Sequence, residues 1–158
     1  LYVYRDQYHL STRVTDLDNI QNPSIHSLLS SKYHEAQMHR LNIHAEIPDP
    51  VIHNYLTDLD LAVVLGHLMD NAIDGARKAS EGFISLAYFD EEDCQSFIIE
   101  STIADEQVPL SMMSTQLSHP EGGIGVNAVQ DILERYPNTS FSVRSQNHKM
   151  MQILEMRP

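Results

Sequence analysis

The sequence has only one cysteine, few positive charges and no long apolar run, and each shortage excludes a class of protein. Cys94 has no partner for an internal disulfide, which suits a reducing compartment. Ten Lys and Arg residues stand against 22 Asp and Glu residues, and the formal net charge of −12 argues against a nucleic-acid or anionic-membrane surface because phosphates would be repelled. No apolar stretch is long enough to span a bilayer, and no signal peptide is visible.

The longest stretch with helical periodicity covers residues 58–79, and we expect most of this helix to be buried. Its apolar face consists of Leu61, Leu65, Leu68, Met69, Ala72, Ile73, Ala76 and Ala79. A narrow polar ridge consists of Asp60, His67, Asn71, Asp74 and Lys78. Buried polar side chains need partners, which could be other side chains or a bound ligand. Thr57 and Asp60 predict a capping box, and Gly82 is expected to form a left-handed C-terminal cap.

The other elements follow from the apolar period and from turn residues. We predict helices at 22–40, 58–79 and 122–136 and strands at 41–48, 83–89, 96–103, 140–145 and 150–156. Asn22 and Pro23 are typical of a helix start, and the last two strands are expected to flank a turn near Asn147-His148. Residues 104–121 have no clear periodicity, so they form a lid or a mobile loop. At 158 residues the chain is one domain, and the order of elements predicts an α/β (α+β) sandwich of one mixed sheet with helices on one face.

The motif His67-Leu-Met-Asp-Asn71-Ala-Ile-Asp-Gly-Ala resembles the N-box of the ATPase superfamily that joins gyrase, heat-shock chaperones, histidine kinases and mismatch-repair proteins. It is most similar to the peptide-pheromone receptor histidine kinases of the Agr/Com quorum-sensing type, and the resemblance runs from about Asn22 to the C terminus. This GHKL-type resemblance implies a Bergerat-type ATP-binding fold. It implies a catalytic ATP-binding domain over residues 22–158, preceded by a linker or the end of an upstream dimerisation helix over residues 1–21.

The same resemblance implies a site for ATP and Mg²⁺. Asn71 would bind the metal through its carboxamide oxygen, beside triphosphate oxygens. Ser101 falls where these kinases often have an Asn near the adenine, and a hydroxyl can still accept a hydrogen bond. Glycines at a helix N-terminus let backbone amides approach phosphates. The implied ATP-binding residues are Asn71, Asp74, Lys78, Ser101, Gly123 and Gly125, and the implied catalytic residue is His67.

Two departures from the kinase pattern leave alternatives open. His67 stands where the kinases have an Asn and the hydrolases a Glu, so it is either a general base or a hydrogen-bonding substitute for Asn. The second interpretation is favoured because a kinase gains nothing from activating water. Gln116 stands where these kinases tend to have Lys. Together with Ser101, these departures define the alternative function, a non-catalytic interaction domain of the same fold whose nucleotide site is degenerate at His67, Ser101 and Gln116. A hydrolytic gyrase or mismatch-repair relative is disfavoured by the missing Asp-x-Gly-x-Gly box.

The resemblance implies a histidine protein kinase that transfers the γ-phosphate of ATP to a histidine on a separate dimerisation domain of a two-component system. A response regulator would then be its second partner, and no nucleic acid is expected. His9 is followed by Leu10 and Ser11 instead of the acidic and aromatic residues of the acceptor motif, so we do not expect it to be the acceptor. The chain begins at Leu1, and we expect it to be the cytoplasmic part of a homodimeric membrane receptor.

Overall fold

The computed structural model describes residues 14–107 and 125–158. In this part of the chain a 3-10 helix at Val14–Asn19 precedes three α-helices and five strands. The helices are α1 (Pro23–Met38), α2 (Asp58–Lys78) and α3 (Gly125–Glu134), and the strands are β1 (Asn42–Glu46), β2 (Phe83–Glu91), β3 (Cys94–Thr102), β4 (Thr139–Gln146) and β5 (Lys149–Met156).

The strands form one mixed sheet in the order β1-β2-β3-β5-β4. β1 pairs with β2 in parallel, and the other three pairings are antiparallel. This confirms the predicted α+β fold. Two of the antiparallel pairs are hairpins of adjacent segments, and the third pairs β3 with β5 across the part of the chain that contains α3 and β4.

α2 lies at the centre of the core, in contact with α1, α3, β2 and β3. Its predicted apolar face is confirmed and is extended by Val64, since the buried apolar positions are Leu61, Val64, Leu65, Leu68, Met69, Ala72, Ile73 and Ala76. Ala79 is the exception: it follows the helix as an extended cap residue and is half-buried. Before α1, Leu17 and Ile20 are each only 3% exposed and belong to the same core. The proposed division of the chain at residue 21 stays a prediction.

Two local predictions at element boundaries are confirmed. The Oδ1 atom of Asn22 accepts hydrogen bonds from two backbone N–H groups of the first turn of α1, at 3.0 and 3.1 Å, and Pro23 is the first helical residue. Asn147 and His148 form the turn between β4 and β5. Their φ angles of 53° and 59° lie in the left-handed region that tight two-residue hairpin turns require.

The caps predicted for α2 are partly wrong. Thr57 is the N-cap, and its Oγ1 accepts from the N–H of Asp60 at 3.3 Å. The N–H of Thr57 itself donates to the hydroxyl of Tyr136 at 3.2 Å, which replaces the reciprocal bond of a capping box. At the other end, Ala79 is extended, with φ −77° and ψ 157°, and Gly82 has no positive φ. Gly82 is therefore not a left-handed cap.

Gly82 is a glycine for reasons of space. A Cβ atom there would collide with the side chain of Leu41 and lie 3.1 Å from the carbonyl oxygen of Ala76. Its own carbonyl oxygen accepts from the N–H of Asn42 at 2.9 Å, next to the start of β1. The end of α2, the start of β1 and the start of β2 meet at this residue, and only a glycine fits between them.

Most of the predicted lid, including Gln116, lies outside the described residues, as does Gly123. Among the residues that are described, no helix combines the length and the hydrophobicity that crossing a membrane requires.

Candidate functional site

The polar ridge of α2 borders the core. His67, Asn71 and Asp74 are half-buried, and Lys78 is exposed at the end of the helix. Their spacing of three or four residues places them along one side of the helix. The structure therefore places these four predicted site residues along one side of α2. The three half-buried side chains can contact both the protein and a ligand.

Asn71 has a partner on the sheet that the sequence did not reveal. Its Nδ2 donates to Oε1 of Gln152 on β5 at 3.3 Å. Gln152 is 1% exposed, and its Nε2 donates to the backbone carbonyl oxygen of Leu68 at 2.9 Å. The carbonyl oxygen Oδ1 of Asn71 receives no donor from the described residues, so it is the atom left for a cation.

Ser101 lies under α2 one turn further along. A Cβ atom on Gly75 would lie 3.3 Å from the carbonyl oxygen of Thr102 and 4.0 Å from Oγ of Ser101. The absence of a side chain at Gly75 thus lets α2 approach the end of β3 closely. Ser101 is fully buried, and its hydroxyl has no hydrogen-bond partner among the described residues. A buried hydroxyl without a partner is costly, and a bound ligand is one way to satisfy it.

The register of the sheet places Ser101 close to Gln152, the hydrogen-bond partner of Asn71. Ile99 of β3 pairs with Gln152 of β5, and Ser101 pairs with Met150. Ser101 and Gln152 are therefore diagonal neighbours on the helix-facing side of adjacent strands. One turn of α2, from Asn71 to Gly75, covers both of them.

Lys32 on α1 fixes α2 at the residue before Asn71. Its Nζ donates to Oδ1 of Asp70 at 2.5 Å and to Oε2 of Glu35 at 3.1 Å. Burial lowers the pKa of Lys32, but the hydrogen bonds to the two carboxylates outweigh that effect, and the pKa is raised overall. The ammonium is therefore held in its charged form between α1 and α2.

A second anchor joins α2 to the end of α3. Asp60 accepts from the Tyr136 hydroxyl at 2.5 Å and from Nη2 of Arg135 at 3.0 Å. The hydrogen bond from Tyr136 is the main cause that lowers the pKa of the Asp60 carboxyl. Asn71 lies about 16 Å along α2 from this anchor, and Gly125 lies about 16 Å back along α3, at 1.5 Å per residue. Side chains of residues 125–128 lie outside the description, so the predicted approach of Asn71 to the glycine-rich turn stays a prediction.

The β4–β5 turn holds the chain where it leaves β3. The backbone of His148 accepts from the N–H of Ile103 at 2.9 Å and donates to the carbonyl oxygen of Glu106 at 2.9 Å. Its Nδ1 lies 3.0 Å from the carbonyl oxygen of Ala104. Residues 103–106 are thus fixed against the sheet directly after Ser101, before the segment that the structure does not describe.

The donor set suits a magnesium–nucleotide complex. Within the described ranges no group of three or more His, Cys, Asp and Glu side chains could hold a metal ion by itself. A hard cation at Asn71 would therefore take one carboxamide oxygen from the protein and further oxygens from phosphates and water, which Mg²⁺ accepts. The hydroxyl of Ser101, which has no partner in the described part of the chain, fits a polar ligand edge at the same place.

Gln152 is the residue that sequence reasoning missed. The buried positions of β5 are Met150, Gln152, Leu154 and Met156, so a single glutamine interrupts an alternating apolar row. That interruption is the signal that would have found it, since a buried amide needs partners. The pattern alone does not name the partner.

Comparisons with known proteins identify the family and the fold of this chain. Residues 56–157 match the sequence profile of a family described as GHKL domain. None of the curated proteins matches the chain at the level of sequence. Among solved structures, the catalytic domain of histidine kinase ThkA has a TM-score of 0.69 at 14% identity and covers 85% of this chain and 91% of its own.

Two further structures share the fold. Acinetobacter baumannii histidine kinase AdeS has a TM-score of 0.62 at 17% identity and covers 98% of this chain and 71% of its own. Histidine kinase ThkA in complex with response regulator protein TrrA has a TM-score of 0.64 at 14% identity and covers 87% of this chain and 40% of its own.

Proposed function

This chain belongs to the GHKL domain family, and we propose that it is the ATP-binding catalytic domain of a sensor histidine kinase. The observation that carries the proposal is the combination of Asn71 on α2 and Ser101 beneath the next turn of the same helix. Among the described residues, the carboxamide oxygen of Asn71 has no donor and the buried hydroxyl of Ser101 has no partner. Both atoms suit the polar ends of a nucleotide.

Each group has a chemical role in this proposal. Asn71 would hold Mg²⁺ through Oδ1, and the ion would neutralise charge on the phosphates during phosphoryl transfer. Ser101 would bind the nucleobase, since a hydroxyl both donates and accepts. The backbone amide of Gly125 at the start of α3, and that of Gly123 two residues earlier in the sequence, would face the phosphates, where the helix dipole favours negative charge.

The remaining ridge residues support binding. Lys78 at the end of α2 supplies a cation on a chain whose net charge is −12, which lowers the electrostatic cost of binding a polyphosphate. His67 lies one turn before Asn71, where a hydrogen-bonding side chain can orient the phosphates. Asp74 lies on the same side between Asn71 and Lys78.

The finer assignment rests on sequence motifs. The His67–Ala76 motif and the strand 99–103 without glycines favour the peptide-pheromone receptor type of kinase in a quorum-sensing system. In this proposal the phosphoryl group passes to a histidine on the receptor's own dimerisation domain and then to a response regulator. The parent protein would be a homodimeric membrane receptor with this domain in the cytoplasm.

Titration with a fluorescent ATP analogue tests the proposal. We expect saturable binding that is tighter with Mg²⁺ than with EDTA, and a loss of about tenfold in the Mg²⁺ titration for Asn71→Ala, equivalent to about 1.4 kcal/mol. Asn42→Ala, the same change at an exposed position of β1, is the matched control and should bind normally.

Two outcomes would contradict the proposal. No saturable binding at millimolar nucleotide would favour the alternative, a non-catalytic interaction domain of the same fold. Steady ATP hydrolysis by the chain alone would favour a hydrolytic relative, because a kinase domain without its acceptor should retain the γ-phosphate.

A further inference from the structure

We propose that Gln152 is a positioning residue that fixes which atom of the Asn71 carboxamide faces the metal–phosphate site. This inference rests on the proposed function. Gln152 does not bind a ligand itself, because both ends of its buried amide are already hydrogen-bonded to α2. It acts through Asn71, whose Nδ2 donates to Gln152 Oε1 at 3.3 Å.

The orientation of Gln152 is determined by Leu68. A backbone carbonyl oxygen can only accept a hydrogen bond, so the atom of Gln152 that lies 2.9 Å from the Leu68 oxygen must be the amino group, Nε2. The other atom of the amide, Oε1, must then face Asn71. The backbone of α2 therefore sets the direction of the glutamine.

The orientation of Asn71 follows from that of Gln152. Because Oε1 can only accept, Asn71 must present its amino group to the glutamine. Its carbonyl oxygen Oδ1 must then face the opposite way, where no described residue donates to it. An Asn whose amide is free to rotate can also turn its amino group towards the cation, and the partly positive N–H hydrogens repel a metal ion.

Burial holds the hydrogen bonds that run from Leu68 through Gln152 to Asn71 in place. On the buried side of β5, Gln152 is flanked by Met150 and Leu154, whose side chains offer no donor and no strong acceptor. Breaking either bond of Gln152 would leave a buried amide group unsatisfied, which is costly. The sheet thus orients the oxygen of Asn71 before any nucleotide binds. Binding therefore costs less conformational entropy.

Gln152→Met tests this inference, since methionine has a similar length and matches the apolar row. In the fluorescent ATP analogue titration we expect the Mg²⁺-dependent gain in affinity to fall by about tenfold. The dissociation constant in EDTA should stay within about twofold of the wild type. A purely structural role would weaken binding under both conditions, so the ratio of the two titrations separates positioning from folding.

Gln95→Met is the matched control. Gln95 is also a fully buried glutamine of the sheet, but its amide bonds the carbonyl oxygen of His53 and the hydroxyl of Tyr88. Its loss should lower stability and leave the Mg²⁺-dependent gain unchanged. If Gln152→Met does not fold, Gln152→Asn serves instead, because it keeps an amide that is one methylene too short to span both partners.

An NMR measurement on the ligand-free protein completes the test. In NMR spectra of the ligand-free protein, the side-chain amide resonances of Asn71 should shift and exchange faster with water in Gln152→Met but not in Gln95→Met. Unchanged Asn71 resonances, or a wild-type Mg²⁺-dependent gain in Gln152→Met, would overturn the inference while the proposed function stands. Absence of nucleotide binding by the wild type would overturn both.

Discussion

The hydroxyl of Tyr136 donates to the carboxylate of Asp60 at 2.5 Å across 76 residues of sequence. The same hydroxyl accepts from the N–H of Thr57 at 3.2 Å, so one oxygen atom of Tyr136, two residues after the end of α3, joins both the N-cap and the first turn of α2. Because α3 runs from Gly125 to Glu134, this contact helps to set how the backbone of α3 lies relative to α2. The position of the proposed phosphate-facing amides thus depends on a bond about 16 Å away.

Removing the hydroxyl should destabilise the protein measurably. Tyr136→Phe leaves the buried Asp60 carboxylate without its main donor and the Thr57 N–H without an acceptor, and bonds to charged groups contribute about 1.5–3 kcal/mol. Tyr33→Phe is the control, since its hydroxyl donates only to the neutral carbonyl oxygen of Ile43 at 3.1 Å. Urea unfolding should show the larger loss for Tyr136→Phe. An equal or smaller loss would show that the anchor is unimportant for stability.

The stability that the Asp60 carboxylate contributes to the folded protein should decrease at acidic pH. The hydrogen bond from Tyr136 lowers the pKa of Asp60 in the folded protein below its ordinary value of 3.8. The stabilisation is therefore fully present above about pH 4 and is lost as pH falls through the lower pKa of the folded state.

Asp60→Asn removes this dependence. The difference in unfolding free energy between wild type and Asp60→Asn should be constant from about pH 5 to 7 and shrink below about pH 4. Unfolding curves across this range measure it, with the exposed Asp49→Asn as control. A difference that grows towards acid pH would contradict the lowered pKa.

Two glycines of α2 should respond to alanine in opposite ways. At Gly66 a Cβ atom would lie 3.7 Å from Leu28, an ordinary contact, so Gly66→Ala should stabilise by up to about 1 kcal/mol through helix propensity. At Gly75 it would lie 3.0 Å from Cγ2 of Ile103 and 3.3 Å from the carbonyl oxygen of Thr102. Gly75→Ala should therefore lower the free energy of unfolding by about 1–3 kcal/mol through overpacking. The higher helix propensity of alanine offsets part of this loss.

Thermal unfolding of the two glycine variants provides the comparison. Gly75→Ala should also weaken nucleotide binding, because the helix must move away from Ser101. A stabilising effect of the same size at both positions would show that α2 does not lie against the end of β3 as closely as the structure has it.

Ser101→Ala should separate stability from binding. The Ser101 hydroxyl is buried without a partner among the described residues, so its removal should leave stability unchanged or raise it by about 1 kcal/mol. Affinity for the fluorescent ATP analogue should fall severalfold. The exposed Ser142→Ala on β4 is the control for both measurements. A destabilised variant with intact affinity would assign Ser101 a structural role.

Much of the fold could be predicted from the sequence because the signals are local. The period of α2, the cap at Asn22 and the turn at Asn147 each depend on residues within a few positions of one another. Predictions that needed a distant partner were weaker. Gly82 was expected to be a left-handed cap, but the contact that requires a glycine there comes from Leu41.

The candidate site also has one part that the local sequence predicts and one part that depends on distant segments of the chain. Spacing along one helix is enough to place His67, Asn71, Asp74 and Lys78 in line, whatever the rest of the chain does. What lies opposite them depends on strand order, and β5 reaches α2 only because the last hairpin returns to pair with β3. No pattern in 58–79 indicates that neighbour.

The sequence by itself determined the elements, their order and the polar line on α2, since each is encoded by residues close together in the chain. Only the tertiary structure decided the partners: Gln152 reaches Asn71 across 81 residues and Leu68 across 84. Hydrogen bonds of that separation depend on how the whole sheet closes, because each partner's position is set by the packing of other segments and not by its own neighbours.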